Sequence, residues 1–232
     1  MYINVYLFSK ITILLLINYL KFNIVEYFIF GRGKLVNFTI DYLLNSNVQK
    51  IYVVPEIPEP EWMDSVVEHC NKIGIQTLNF EDIFQYITNQ SIGVSIYFSK
   101  IFKKIHIENF KYLINLHNGP LPKYRGVNPV NWALKNNEKT HGVTLHYIDQ
   151  GIDSGDIIDQ EHFSINQNLE VIDVYNLCLQ AGEKILKRSI LNIENIKPIK
   201  QDNKDATYYS KVDFEKLGDR KFFTRNESRN VL

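Results

Sequence analysis

The chain has 232 residues, 45% of them apolar and 22% charged, the composition of one ordinary globular domain with a sizeable core and not of a disordered chain. Its 26 basic and 26 acidic residues cancel, so no overall field draws it to nucleic acid or to an anionic membrane, although a local basic cleft for one phosphorylated ligand stays open. The two cysteines, Cys70 and Cys178, lie far apart with no Cys or His at ligand spacing, which reads as two buried thiols in a reducing compartment, the cytoplasm, and not as a disulfide or a zinc site.

Residues 1–24 stand apart from the rest. The run from Ile11 to Tyr19 is strongly apolar but too short to span a bilayer, and Lys10 and Lys21 bracket it. A signal peptide would need a basic start and a small-residue cleavage site, and neither is clear. An extra helix packed on the domain, a membrane-associated or exported start, and residues upstream of the fold proper are the three readings. The expectation adopted is an N-terminal extension outside the fold, a main domain over 25–196 and a C-terminal tail over 197–232.

From Tyr27 the pattern becomes regular. Tyr27-Phe28-Ile29-Phe30 is a strand stopped by Gly31-Arg32-Gly33, and from Lys34 the residues Leu35, Val36, Ile40, Leu43 and Leu44 fall at helical spacing. Lys50 to Val54 reads as a strand ended by Pro55, followed by an acidic, proline-rich loop. Trp62 to Ile73 reads as a helix with Met63, Val66, Val67 and Cys70 on one stripe and Gly74 as its C-terminal cap. Ile75 to Leu78 is a third strand, Glu81 to Ile87 a short helix with Ile83, Phe84 and Ile87 inward, Gly93 to Phe98 a fourth strand and Tyr112 to Leu116 a fifth. This alternation predicts an α/β fold, Rossmann-like, with a mostly parallel twisted sheet and helices on both faces. Such a sheet brings the loops after its strands to one edge, where ligands bind.

Beyond the fifth strand, Asn128-Pro129 starts a short helix to Asn137 that carries Trp132, with Asn128 as its N-cap. Gly142 to Ile148 alternates Val143, Leu145 and Tyr147 against Thr144 and His146, the pattern of a strand near the edge or partly exposed, and Asp156 to Asp159 resumes a strand after a turn. Leu169 to Leu191 is one long amphipathic helix. The tail is polar and irregular, with Tyr208-Tyr209 and Phe222-Phe223 as its anchors.

Three groups carry chemistry. Asn115 and His117 sit two apart, so an extended strand points both to the same face. Asp149-Gln-Gly-Ile-Asp153-Ser-Gly155 is a glycine-bracketed turn bearing two acids. Gly31-Arg32-Gly33-Lys34 lets the backbone approach an anion at a helix start, yet the third glycine of a dinucleotide loop is missing, and an unliganded turn is an equal reading. No metal is expected, and His141 and His146 read as loop and strand residues.

Taken in order, Asn115-Leu-His117, then Leu121-Pro122-Lys123-Tyr124-Arg125-Gly126, Pro129, Trp132, Gly142-Val-Thr144 and Asp149-x-Gly-x-Asp153-x-Gly155 resemble the catalytic half of the folate-dependent formyltransferase family, over about Tyr27 to Gln160. That family includes glycinamide ribonucleotide transformylase, methionyl-tRNA formyltransferase and the sugar N-formyltransferases. The resemblance makes 25–196 the catalytic domain. It implies Asn115, His117 and Asp153 as the catalytic trio, and N10-formyltetrahydrofolate as co-substrate held by Ser99, Lys100, Ile101, Phe102 and Asp149. It leaves Gly31, Arg32, Gly33, Lys34, Lys123, Tyr124 and Arg125 to the formyl acceptor. The family's usual Ser-Leu-Leu-Pro stands here as Gly119-Pro120-Leu121-Pro122. Tyr124-Arg125-Gly126, Trp132 and Ala206-Thr207-Tyr208-Tyr209 resemble the sugar N-formyltransferases most. A nucleotide-linked amino deoxysugar is therefore the implied acceptor, with lipopolysaccharide or O-antigen assembly as the setting and a homodimer as the assembly to look for. The alternatives are glycinamide ribonucleotide, a methionyl-tRNA-like amine, or water in a hydrolase; a silent binding module and a dinucleotide-dependent oxidoreductase are the more distant ones.

Overall fold

The computed structural model describes residues 25–218. The expectations for residues 1–24 and for Phe222-Phe223 lie outside the described residues. The elements in chain order are β1 (Glu26–Gly31), α1 (Lys34–Asn45), β2 (Ile51–Pro55), α2 (Val66–Ile73), β3 (Ser91–Ile96), α3 (Lys104–Asn109), β4 (Tyr112–His117), β5 (Arg125–Gly126), α4 (Pro129–Lys135), β6 (Thr140–Tyr147), β7 (Ile157–Ser164), α5 (Val171–Ser189) and β8 (Tyr208–Tyr209). Short 3-10 helices cover Phe80–Gln85, Ile193–Asn195, Asn203–Asp205 and Lys211–Leu217.

Six strands form one sheet in the order β2-β1-β3-β4-β6-β7. The first four are parallel to one another, and β6 and β7 are antiparallel to their neighbours. The apolar run Tyr27 to Phe30 is continuous because β1 is covered on both faces. Tyr27 and Ile29 belong to the larger core, with Leu35, Ile40 and Leu43 of α1 and Val174, Cys178 and Ile185 of α5. Phe28 and Phe30 belong to the smaller one, with Val54, Ile83, Phe102, Phe110 and Leu113. From β1 the chain goes to β2 on one side and then to β3 and β4 on the other, so the sheet reverses direction between β1 and β3. A crevice for ligands opens beyond the carboxyl ends of strands at such a point. Gly31 ends β1 there at φ +133, where a Cβ would collide with the Ile96 carbonyl, and Arg32 N–H donates to that carbonyl at 3.2 Å.

Several expectations are corrected. Ile75 to Leu78 is not a strand: it makes one bridge, Thr77 to Val53, after which Leu78 and Phe80 drop into the smaller core. The helix expected from Trp62 begins at Val66, because Ser65 caps it by accepting from Glu68 N–H at 3.1 Å and Glu59 accepts from Val66 N–H at 2.6 Å. Phe84 is exposed and stacks on His106, since the segment is a 3-10 helix whose three-residue turn buries Ile83 and swings its neighbour outward. Asn128 does not cap α4 with its side chain; its backbone is left-handed, at φ 57. The strand expected near the edge or partly exposed, β6, is next to last in the sheet, with β7 outside it, and Val143, Thr144, Leu145 and His146 are all buried, so only the partial exposure is corrected. Among the described residues no helix is long and apolar enough to cross a membrane.

Candidate active site

The site forms where the parallel and antiparallel halves of the sheet meet. The register of β4 against β6 sets Asn115 opposite His146 and His117 opposite Thr144. Asp153 arrives on the turn between β6 and β7, in a left-handed conformation at φ 51. Its Oδ1 lies 3.4 Å from Asn115 Nδ2 and 3.5 Å from His146 Nε2, and its Oδ2 lies 3.5 Å from His117 Nδ1 and accepts from Gly126 N–H at 2.8 Å. The three residues expected to act together are therefore brought together, at the carboxyl end of β4.

The hydrogen-bond pattern fixes the tautomers. His117 Nε2 lies 2.7 Å from the Tyr124 carbonyl, which only accepts, so Nε2 carries the proton and Nδ1 turns its lone pair towards Asp153. His146 Nδ1 donates to the Tyr147 carbonyl at 2.8 Å, so its Nε2 accepts from the Asn115 amide at 3.1 Å. Burial pushes the His117 pKa down, against the upward pull of the Asp153 carboxylate; His146 lowers it further, and the Tyr124 carbonyl raises it. For Asp153, burial works against the charge, but His117, His146 and the Gly126 N–H outweigh it and hold the carboxyl well below the usual range. The free site thus pairs an ionised carboxylate with a neutral imidazole whose open nitrogen can take a proton. The Asn115 amide beside them is a group that can donate to a developing oxyanion.

His146 was read from the sequence as an ordinary strand residue. Its alternation with Thr144 was visible, but only the antiparallel pairing with β4 places it beside Asn115. An aromatic wall was also missed. Tyr97, at φ 56 just after β3, donates to Asn118 Oδ1 at 3.0 Å, and the Tyr175 ring lies 5.8 Å from Tyr97 and 6.0 Å from Trp62. Of the six non-glycine residues with positive φ among the described residues, Tyr97, Tyr124, Asn128 and Asp153 all fall at or next to this site, where backbone strain tends to concentrate.

The other expected site residues surround the trio in varied states. At the switch point, Gly33 packs on Met63, Lys34 is exposed, and Arg32 is half-buried with its Nε lacking a hydrogen-bond partner. Ser99 donates through its N–H and Oγ to Glu56, at 2.8 and 2.5 Å, Lys100 pairs with Glu81 at 3.0 Å, and Ile101 is 77% exposed. Phe102 points into the smaller core, 5.0 Å from the Phe30 ring. Asp149 accepts from Gly151 N–H at 3.0 Å and Ser154 Oγ at 2.8 Å, which shapes the turn that carries Asp153. Lys123 is exposed; Tyr124 is buried and donates to Glu138 at 2.6 Å; the Arg125 guanidinium is bound to Gln201 and Asn203. Among the described residues no group of three or more His, Cys, Asp or Glu is arranged to hold a metal ion.

An α/β sheet that presents an amide, an imidazole and a carboxylate around one point is the arrangement of a group-transfer enzyme acting at a carbonyl-like centre. Comparison with known proteins makes the class specific. Residues 87–190 match the family model described as formyl transferase. The N-formyltransferase from Helicobacter canadensis, in complex with folinic acid and dTDP-3-aminofucose, has a TM-score of 0.74 and 33% identity, covering 82% of this chain and 72% of that one. WlaRD, a sugar 3N-formyl transferase solved in the presence of dTDP and 5-N-formyl-THF, has a TM-score of 0.74 and 34% identity, covering 82% of this chain and 71% of that one. A methionyl-tRNA formyltransferase from Caldicellulosiruptor saccharolyticus is 36% identical over 136 residues, 57% of this chain and 44% of that protein, so the chain spans less than half the length of this curated relative. The chain belongs to the formyltransferase family.

Proposed function

We propose that the protein transfers the formyl group of N10-formyltetrahydrofolate to the amine of a nucleotide-linked amino deoxysugar. The observation that carries this reading is the open Nδ1 of neutral His117, 3.5 Å from the ionised Asp153 and beside the Asn115 amide. In this reading Asn115 Nδ2 donates to the formyl oxygen as it gains negative charge. His117 Nδ1 takes a proton from the attacking amine, the Asp153 carboxylate stabilises the imidazolium, and the same nitrogen returns the proton to the departing folate nitrogen. His146 holds the Asn115 amide in place through its Nε2.

The folate side is assigned to residues Ser99 to Phe102 and Asp149. The exposed Ile101 suits an apolar ring face, while Phe102 supports the loop from within the core. The acceptor is assigned to the side of Gly31 to Lys34 and Lys123 to Arg125, where Arg32 and the Trp62–Tyr97–Tyr175 wall suit a diphosphate and a sugar ring. The H. canadensis and WlaRD structures support this choice, because they were solved with a dTDP-linked amino sugar or dTDP together with a folate. A cytoplasmic setting agrees with the two buried free thiols, and O-antigen assembly with an amino-sugar product.

The matches to methionyl-tRNA formyltransferases support a second reading, in which the acceptor is the amine of a methionyl-tRNA. The net charge of zero weighs against it, since tRNA binding calls for a basic surface. The deciding experiment incubates the protein with N10-formyltetrahydrofolate and a panel of dTDP- and UDP-linked amino sugars, with glycinamide ribonucleotide, methionyl-tRNA and water as controls, and follows tetrahydrofolate release. Turnover that depends on one of the sugars is expected. Turnover only with a control acceptor would overturn the assignment.

A further inference from the structure

The C-terminal tail reaches back across the sheet to the two loops that make the catalytic trio. Gln201 is the residue where this return is tightest. It is buried, and every hydrogen-bonding position of its amide is used. Its Nε2 donates to two carbonyls of the same turn, Asp153 O at 2.9 Å and Gly155 O at 2.6 Å, and its Oε1 accepts from Arg125 Nε at 3.0 Å and Nη2 at 2.7 Å. Arg125 belongs to the segment that grips the other half of the site. Gly126 N–H holds Asp153 Oδ2, and the Tyr124 carbonyl holds His117 Nε2.

We propose that Gln201 is a positioning residue for the transfer reaction, clamping the Asp153–Gly155 turn to the Tyr124–Gly126 segment so that the Asp153 carboxylate stays against His117. The turn needs such a clamp because Asp153 is held at φ 51, a conformation that costs a non-glycine residue roughly 1–3 kcal/mol and relaxes when its surroundings no longer enforce it. No neighbouring contact replaces Gln201 directly. The bridge from Ile157 to Ile199 fixes the tail two residues upstream, and Thr207 Oγ1 accepts from Tyr124 N–H at 2.7 Å further along, but neither touches the carbonyls of Asp153 or Gly155. A polar side chain buried with four satisfied bonds holds one geometry sharply, and losing it releases two carbonyls together and leaves the Arg125 guanidinium with Asn203 alone.

The proposal rests on the formyl-transfer reading for its kinetic arm and on geometry alone for its spectroscopic arm. Gln201→Met keeps the volume and removes every hydrogen bond; Gln201→Glu keeps the contact with Arg125 but sets a carboxylate oxygen against the two carbonyls. For both, kcat for formyl transfer is expected to fall by on the order of 100-fold, the effect of a small misplacement of catalytic groups, with the KM for folate and acceptor little changed. The His117 ring titration, followed by NMR, reads the clamp separately. The groups facing this imidazole are Asp153, His146 and the Tyr124 carbonyl, with His141 nearby, and of these the Asp153 carboxylate is the main upward influence. Its withdrawal should move the His117 midpoint further down in the folded Met variant. Folded variants with wild-type kcat, or a loss of kcat with the His117 titration unmoved, would overturn the proposal. If Gln201→Met does not fold, Gln201→Glu decides by the same two measurements. Should the wild-type protein transfer formyl to none of the acceptors, the functional reading fails while the His117 titration still reports on the clamp.

Discussion

His117 is a buried imidazole with one nitrogen committed to a carbonyl and the other turned to a carboxylate, and that asymmetry decides how it works. Burial pushes its pKa below the ordinary 6.5, so in the free protein it is neutral through physiological pH and ready to accept a proton. The sign of the pH dependence follows. In the proposed mechanism the active form is the deprotonated one, so kcat/KM for formyl transfer should be flat through neutral pH and fall only in acid, below 6.5. A rate that rises as the pH drops through this range would mean that His117 works as an imidazolium in the free enzyme. Asp153 is held well below the usual carboxylate range despite its burial, by attraction to His117 and His146 in their protonated forms and by the Gly126 N–H, so it takes up no proton across the same range. Asp153→Asn keeps the shape and removes the charge. It should lower kcat by about 1,000-fold or more with the fold intact by circular dichroism, and near-normal rates would remove Asp153 from the mechanism. At this scale the sequence reading singled out Asn115, His117 and Asp153, which the structure brings together, because their spacing and their glycine-rich turn are local. It did not single out His146 and Gln201, whose contacts with these residues depend on an antiparallel pairing with β4 and on a tail that returns from 46 to 48 residues away along the chain.

The elements explain why the residues stay put. Parallel strands alternating with helices were legible because each is a local pattern of apolar residues, and β1, α1, β2, β4 and α5 lie close to where periodicity puts them. What was not legible is pairing. The segment at Ile75 to Leu78 has the composition of a strand but no partner beyond one bridge, and β6 has the alternation of a partly exposed strand near the edge, yet its pairing with β4 and β7 goes with burial of both its faces. The short pair β5 and β8 belongs to this class: two residues against two, which no local pattern marks. Arg125 N–H donates to the Thr207 carbonyl and Val127 N–H to the Tyr209 carbonyl, both at 2.9 Å, while the Tyr209 ring stacks on Trp132 at 4.2 Å and on Tyr124 at 5.8 Å. Gly126 between them is at φ +91, and a Cβ there would strike the Tyr209 carbonyl, so only glycine lets the two strands meet. Gly126→Ala should therefore unseat β8. Amide hydrogen exchange would show this as faster exchange at Arg125 and Val127 with β1 and β3 unchanged, and unchanged protection at Arg125 and Val127 would refute it.

For the molecule as a whole, the buried titratable groups set the pH range in which the fold is stable. His141 is fully buried between Asn118, Tyr124 and Phe163; its Nε2 donates to the Asn118 carbonyl at 2.9 Å and its Nδ1 has no partner. Burial pushes its pKa down to about 4, and the nearby His117 and His162 add to the fall against the pull of the Asn118 carbonyl. Because the folded value is below the unfolded one, the unfolded chain binds the proton first. The contribution of His141 is complete above 6.5 and is lost as the pH falls from there towards about 4, with His117 adding in the same direction. At about 1.4 kcal/mol for each pH unit, the loss from His141 is on the order of 3 kcal/mol, a large part of the margin of an ordinary domain. On the alkaline side burial raises Cys70 to about 11 and pushes Cys178 well above its ordinary 9.0, and it raises Tyr27 and Tyr175 to about 12, so the unfolded chain loses those protons first and stability falls as the pH climbs above 9. The stability plateau should therefore lie between about 6.5 and 9. His141→Gln can keep a donor to Asn118 and has nothing to titrate. Thermal unfolding measured from pH 8 down to pH 4.5 should show the wild type losing stability in the acid and the variant losing distinctly less, with the alkaline fall above 9 common to both. The same acid slope in the two proteins would mean that His141 is not the group that limits the fold.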